Sequence, residues 1–532
     1  MAGTAADEDE GPEPVPAETA TAWPPERLAA MVALGAVVLL GAYLRVQNLS
    51  QGGLERDDAW VALTAHVRLA NALRMGATAP GFTMVERTWI LLDPGSGKWA
   101  QMLPLAISVV GIVAMYALVR YVGLHRVWAL IGAFMIAVSP IALEESTHVK
   151  QYGTDIVLCC VLLALYEGTR RRDTTRQLVV TALASFIALG ISASILPVLV
   201  GVWLALLLTA LRDRNRLIRV SVAGAAAAVL CLPILILFVR HVSSALHRYW
   251  TVHYAFITHQ SLAAVQHTGW RAALALTNDL VGLHGPALTV ATWVLIGLAV
   301  VGLTRGGPAL AAALTIAVAV LAAADGRIPI GTGRTDEVLF PAIILLALFG
   351  AQRLVSLVMA ASDRLGTSLV GAAVVAVAAT VLVVTVAGPA VADPIHRSIG
   401  YPGVDLGPLV HQIEAERKPG DLVFVEALSR YPWSLAYPGR VRIQLGSGWG
   451  AGFTTVSTDD TVYIVPSEWW ETGYAPAQFA AQAAKADRLW FVGTGSPAYH
   501  QFSHDYKTLI DHGWKPQRWI PGLGAYVVLM TR

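Results

Sequence analysis

The sequence predicts an α-helical polytopic membrane protein of about eleven spans with a small extracytoplasmic α/β domain at its C-terminus. Three observations predict it. Of 532 residues, 55% are hydrophobic and only 14% are charged, where a soluble domain carries about 25% charged residues. Apolar runs long enough to cross a bilayer recur from residue 28 to residue 388. Beyond residue 389 the pattern changes to short apolar runs alternating with helix-like stretches.

The remaining composition narrows the class. A net charge of +2 carries no nucleic-acid signature. Only six of the 38 basic residues are lysine. Cys159, Cys160 and Cys231 all lie in apolar runs, offer neither a disulfide framework nor metal-ligand spacing, and are expected to be buried packing. Residues 1–26 are acidic and Pro-rich, a composition that stays disordered. They lack the basic n-region of a signal peptide, so the first apolar run is expected to be a retained span.

The expected spans, in order, are 28–48, 99–119, 127–143, 153–169, 177–193, 195–211, 217–239, 287–304, 308–324, 338–357 and 367–388. Ser192, Ser194 and Pro197 mark the turn within the nearly continuous stretch 177–211. Short loops rich in Arg set the orientation. Arg170, Arg171, Arg172 and Arg176 fall in one such loop, and Arg212, Arg214, Arg216 and Arg219 in another. Arg120 with Arg126, and Arg353 with Arg364, flank two more. All share a side if the N-terminus is cytoplasmic. The chain then divides into the tail 1–26, a membrane domain 27–388 and an outer domain 389–532 of a multi-pass plasma-membrane protein. The outer domain is expected to hold strands at 421–425, 461–465, 488–492 and 525–529, with helices at 406–417 and 477–486.

On the outer side, the loop 49–98 opens with Glu55-Arg56-Asp57-Asp58-Ala59-Trp60. Adjacent carboxylates just beyond a span suit either a solvated loop or a site. The short turn 144–152 is dense in ionisable groups, among them Glu145, His148, Lys150 and Tyr152, and Asp155 lies just inside the next span. A carboxylate at a membrane edge is costly and marks a functional candidate, although an ion pair closing the turn would also explain it. The turn 325–337 carries Arg327 and Arg334, whose planar forks suit phosphate and equally suit snorkelling at the interface. Gly331 and Gly333 would let the backbone approach a ligand.

Other patterns carry less. Histidines at 241, 247, 253 and 259 recur every six residues, a spacing that does not share a helix face, so 240–286 is expected to be an amphipathic interfacial segment. Gly95-Ser96-Gly97-Lys98 lacks the leading Gly and the trailing Ser or Thr of a phosphate loop. Gly493-Thr494-Gly495-Ser496 is too short for a dinucleotide fingerprint.

Two of these stretches resemble a family. Asp57-Asp58-Ala59-Trp60 is similar to the acidic motif that GT-C glycosyltransferases carry after their first span. Ser139-Pro140, followed by Glu145, Lys150 and Tyr152, resembles that family's turn between spans three and four. The likeness covers mainly residues 28–240 and points to the protein O-mannosyltransferase and lipid A aminoarabinose transferase branch, with Asp58 standing where Glu is common. The resemblance implies transfer of a sugar from a polyprenyl-phosphate donor to a glycan, lipid or protein acceptor on the outer face. It makes Asp57 the general base, with Asp58 next. Lys150 and Arg334 become phosphate partners, supported by Tyr152, His148 and Arg327, with Arg327 and Arg240 next in line should those two fail, and Glu145 orients the acceptor. No metal-ligand set stands out, and a divalent cation is left open. A secondary transporter or a polymer-binding scaffold is the alternative. Against the transporter stand the missing internal repeat and the large C-terminal domain.

Overall fold

In a computed structural model, residues 25–364 and 403–532 are described, apart from short gaps at 50–51, 76–77, 95–96, 240–243, 253–255, 258–260, 447–448, 470, 472 and 496–502. The expected tail 1–26 falls almost wholly outside the described residues, as do Arg240 and the run 367–388.

The chain is a helical bundle carrying a small sheet domain. The helices that build the bundle and its loops are α1 (Pro25–Val46), α2 (Arg56–Ala62), α3 (Leu69–Ala72), α4 (Pro80–Ile90), α5 (Gly97–Tyr121), α6 (Arg126–Val138), α7 (Pro140–Glu144), α8 (Tyr152–Arg172), α9 (Thr175–Ile191), α10 (Leu196–Ala210), α11 (Arg214–Ile234), α12 (Ser244–Val252), α13 (Leu262–Val281), α14 (Gly285–Gly302), α15 (Gly307–Ala324) and α16 (Phe340–Arg364). Ten of the eleven expected runs fall on these helices. Among the described residues eight helical segments are long and apolar enough to cross a membrane, and a ninth appears if the bent pair Arg126–Val138 and Pro140–Thr147 is one span. Thr175–Ile191 is apolar but shorter. The segment 240–286 holds α12 and the longer α13, with His241, His253 and His259 outside the described residues.

The bend of 59° between α6 and α7 has a local cause. Pro140 has no N–H to give the Ile136 carbonyl and cannot continue the helix. Arg45, fully buried near the end of α1, supplies the missing donors. Its guanidinium donates to the Ile136 and Ala137 carbonyls, both at 3.0 Å, and to Ser108 Oγ at 2.8 Å. Asn48 Nδ2 then reaches the Leu143 carbonyl at 2.7 Å, and Thr147 Oγ1 returns to the Asn48 carbonyl at 3.2 Å. The end of the first span and the turn 139–150 are thus sewn together.

The C-terminal domain contains α17 (Gly407–Glu416), β1 (Leu422–Val425), α18 (Arg430–Ala436), β2 (Val441–Leu445), β3 (Phe453–Ser457), β4 (Val462–Ile464), α19 (Pro476–Ala483), β5 (Arg488–Thr494), α20 (His504–Asp511), β6 (Lys515–Gly522) and β7 (Ala525–Thr531). Its main sheet runs β4-β1-β5-β7-β6, with β1 parallel to β4 and β5 and with β7 antiparallel to β5 and β6. All four expected strands and both expected helices are present. The added strands are β2 and β3, paired with each other, and β6. Pro516 and Pro521 in β6 cannot donate to a ladder, and β6 sits at the sheet edge where that is tolerated.

One apolar cluster crosses from the bundle to this domain. It joins Leu54, Ala59, Val61 and Ile90 of the first loop with Val149 and with Tyr431, Ala451 and Phe453. The chains also meet at the backbone. Val404 N–H donates to the Gly53 carbonyl at 3.1 Å, and a Cβ on Gly53 would lie 2.4 Å from the Val404 oxygen. Only glycine fits there.

Candidate active site

Three segments converge at one end of the bundle: the start of α2, the turn 144–152 and the turn 331–337. Glu55 caps α2, its side chain accepting from Asp57 N–H at 3.0 Å. Successive helical residues diverge by about 100°, so Asp57 and Asp58 face different surroundings although they are adjacent.

Asp58 is buried, 1% exposed. Its Oδ1 accepts from Val149 N–H at 2.7 Å and lies 3.2 Å from His148 Nδ1. The same His148 nitrogen is 3.6 Å from Glu55 Oε1. Burial pushes His148 down, but Asp58 and Glu145 more than reverse this and raise it well above the usual imidazole range. Protonated His148 therefore bridges two acids. Among the described residues Glu55, Asp58 and His148 are the group whose ligand atoms could surround a metal ion, all within 4.8 Å of one another.

Asp57 turns the other way and keeps 17% side-chain exposure. Its Oδ2 accepts from Arg334 at 2.5 Å, and its Oδ1 lies 3.5 Å from Arg56. Lys150 is buried, its Nζ 4.0 Å above the Trp60 ring. Burial pushes the Asp57 carboxyl up, but Lys150, Arg56 and Arg334 outweigh it and hold Asp57 well below the usual carboxylate range. Burial pushes Lys150 down, opposed by Asp57 and Asp58.

Arg334 also reaches Glu145, Nε to Oε1 at 3.4 Å, and Glu145 is 1% exposed. Its turn is shaped by Asp336, whose Oδ2 accepts from Thr332 N–H at 2.9 Å and Gly333 N–H at 3.3 Å. Gly331 and Gly333 have φ of +72° and +82°. A Cβ on them would press on Ala272 and Ile141, so they serve backbone shape and packing against α13 and α7 rather than close approach to a ligand. Tyr152 opens α8 within electrostatic reach of Glu145, Arg334 and Asp57.

The structure thus gathers Asp57, Asp58, Glu145, His148, Lys150, Tyr152 and Arg334. Arg327 does not join them: its side chain is 77% exposed and paired with Asp325 at 2.8 Å. His148 lies behind Asp58 rather than beside Arg334. Sequence reasoning singled out the stretch Glu55–Trp60 but gave Glu55, Arg56 and Trp60 no individual role, and it missed Glu86. Glu86 is buried, and burial, with Asp58's charge, pushes its carboxyl up to about 8. The one sequence signal for Glu86 was a charge on the amphipathic α4.

No family model matches this chain, and no curated protein matches it. Among solved structures, it is similar to ArnT from Cupriavidus metallidurans in the apo state, with a TM-score of 0.53 at 14% identity over 95% of this chain and 98% of that one. ArnT from the same organism bound to undecaprenyl phosphate gives 0.49 at 14% identity over 94% and 98%. At such identity the apo likeness speaks to architecture: a polytopic helical bundle with a C-terminal sheet domain, matched over nearly the full length of both chains.

Proposed function

We propose that this chain is a membrane glycosyltransferase that moves a sugar from a polyprenyl-phosphate donor to a hydroxyl of a cell-envelope glycan, lipid or protein. The observation that carries the reading is a partly exposed carboxylate, Asp57, held among Arg334, Arg56 and Lys150 where three loop segments meet. In a single displacement, the acceptor oxygen bonds to the anomeric carbon as the bond from that carbon to the phosphate oxygen breaks. The hydroxyl proton passes to Asp57 as general base. The bonding pair leaves with the phosphate, and Arg334 and Lys150 stabilise its charge. The anomeric centre inverts.

The ion pair between Arg334 and Asp57 suggests an order of events. A base held far below neutral pH is a poor proton acceptor. A donor phosphate competes for the Arg334 fork, loosens its hold on Asp57 and raises the basicity of that carboxylate where it is needed. Charges gathered at the ends of spans suit a transferase better than a transporter, whose site lies near the midplane.

The test is to incubate membranes containing the protein with a panel of radiolabelled polyprenyl-phosphate sugars. Transfer of label that is lost in Asp57→Asn is the expected result. No labelled product from any donor, with the protein present and folded, would sink the reading. A reporter fused after Arg532 should be active only outside the cytoplasm, which places the site on the outer face.

A further inference from the structure

The C-terminal domain reaches the Asp57 site along two arms, both starting from α18. The charged arm alternates in sign. Glu471 takes both guanidinium nitrogens of Arg430 at 3.0 Å, and both side chains are fully buried. Arg430 lies 3.5 Å from Glu468. Glu468, 4% exposed at its side chain, pairs with Arg56. Arg56 lies beside Asp57, Asp57 pairs with Arg334, and Arg334 reaches Glu145. The aromatic arm starts at Tyr431, whose hydroxyl donates to the Phe453 carbonyl at 3.0 Å. The Tyr431 ring stacks on Trp60 with centroids 6.2 Å apart, and Trp60 lies under Lys150.

Glu468 is firmly set. Glu471 accepts from the Glu468 and Gly450 N–H groups at 2.8 and 2.6 Å, and Arg430 donates to the Pro466 carbonyl at 2.7 Å. Removing one partner of a buried ion pair leaves the other charge uncompensated, so the members of this set hold one another in place. Arg56 stands between two carboxylates that compete for it. With Glu468 in place its charge is shared. Without Glu468 its charge would fall wholly on Asp57 Oδ1, and the Asp57 carboxylate would attract Arg334 less strongly through Oδ2.

We infer that the C-terminal domain is a working part of the site, with Glu468 as a positioning residue that restrains Arg56 and so limits its pull on Asp57, which faces Arg56 with Oδ1 and holds Arg334 with Oδ2. The inference rests on the reading of Asp57 as the base and of Arg334 as a phosphate partner. It makes a prediction opposite in sign to that of a merely structural contact. Loss of Glu468 frees Arg334 for phosphate, so phosphate binding strengthens while turnover falls.

The experiment uses the full-length protein in nanodiscs. Undecaprenyl phosphate is the binding probe, titrated against wild type, Glu468→Gln, Arg56→Ala and the double variant. Glu468→Gln should bind it about threefold more tightly, and this gain should vanish in the Arg56→Ala background, because interacting residues are non-additive. Glu468→Asp keeps the charge and should return binding toward wild type, which guards against a folding defect in the Gln variant. Weaker or unchanged binding in Glu468→Gln, or the same gain without Arg56, would overturn the inference. Turnover is measured in the same preparations with whichever labelled donor supports transfer. Glu468→Gln should lose about tenfold in kcat with a lower KM for donor. Asp57→Asn is the control: if it transfers at the wild-type rate, the base assignment fails, whereas a dead Asp57→Asn with additive effects of Glu468 and Arg56 sinks the positioning role alone.

Discussion

Two carboxyls of this molecule, one at the edge of the bundle and one in the C-terminal domain, are held in opposite states. At the edge of the bundle, Asp57 meets full cations on three sides and stays ionised far below the usual range. In the C-terminal domain, Glu426 accepts from Ser503 Oγ at 2.7 Å, Thr494 N–H at 2.8 Å and Ser429 Oγ at 3.3 Å, all neutral donors. Burial pushes Glu426 up to about 7. Its neighbour Asp505, held by Ala427 N–H at 2.9 Å and the Tyr474 hydroxyl at 3.0 Å, is pushed by burial to about 6. Burial drives a carboxyl towards its neutral form; the neutral donors around Glu426 and Asp505 do not offset it, whereas the cations around Asp57 do. The cations around the partly exposed Asp57 fit the proposed anionic donor, while the acids that Glu426 and Asp505 contribute are hydrogen-bonded into the core of the sheet domain.

The strongest way to break this comparison is to neutralise Asp57. Asp57→Asn keeps the shape and removes the proposed proton acceptor, and loss of a general base costs about 10²–10⁴ in rate. Undecaprenyl phosphate binding should be retained or strengthened, since Arg334 loses its competitor. Asp58→Asn should behave differently. Val149 N–H keeps its acceptor, but protonated His148 loses a charge partner, so the expected effect is about 1–3 kcal/mol of stability with a smaller loss of rate. Rates at matched folded protein and thermal unfolding of both variants check this. A dead Asp58→Asn beside an active Asp57→Asn would exchange their roles.

Next come the cations. Lys150→Ala and Arg334→Ala each remove one charge-assisted partner, worth roughly 1.5–3 kcal/mol, so donor affinity or the donor-dependent rate should fall by about ten- to a hundredfold. Arg327→Ala should leave both unchanged, because its guanidinium points to solvent. Equal donor dependence in all three variants would move the phosphate site elsewhere.

How much of this was legible in sequence depends on distance along the chain. Long apolar runs announce spans whatever their partners, and charges at 57–58, 144–155 and 334 stand out because the runs around them are apolar. The bend at Pro140 and the positive-φ glycines follow local rules, yet the expected span 127–143 ran straight through Pro140 and the glycines were expected to face a ligand. What stayed hidden is relational. Asp57 and Asp58 are neighbours in sequence, and only the helical turn assigns one to the cations and the other to Val149 and His148. Glu468 and Arg56 lie 412 positions apart, and no periodicity links them. β6 was missed because two prolines argue against a strand, a rule that fails at a sheet edge.

The comparison can finally be sharpened by pH. Glu426 has its folded-state pKa raised from 4.5 to about 7. A raised acid contributes stability that is complete below the unfolded value and is lost as pH rises through the folded one. Between pH 6 and 8 that loss is about 1 kcal/mol. Glu426→Gln is neutral throughout, so its unfolding midpoint should fall less than that of wild type over this window, read from the emission of the buried Trp490 and Trp514. Asp505 titrates in the same window and its charge raises Glu426, so the difference reports Glu426 together with its coupling to Asp505. Asp57 has the opposite sign. Its depressed pKa gives stability that is complete above the ordinary value of 3.8 and is lost only in acid, so between pH 6 and 8 Asp57→Asn should shift the midpoint by a constant amount. A slope change in Asp57→Asn, or none in Glu426→Gln, would mean that neutral donors and cations do not divide the two regions in this way.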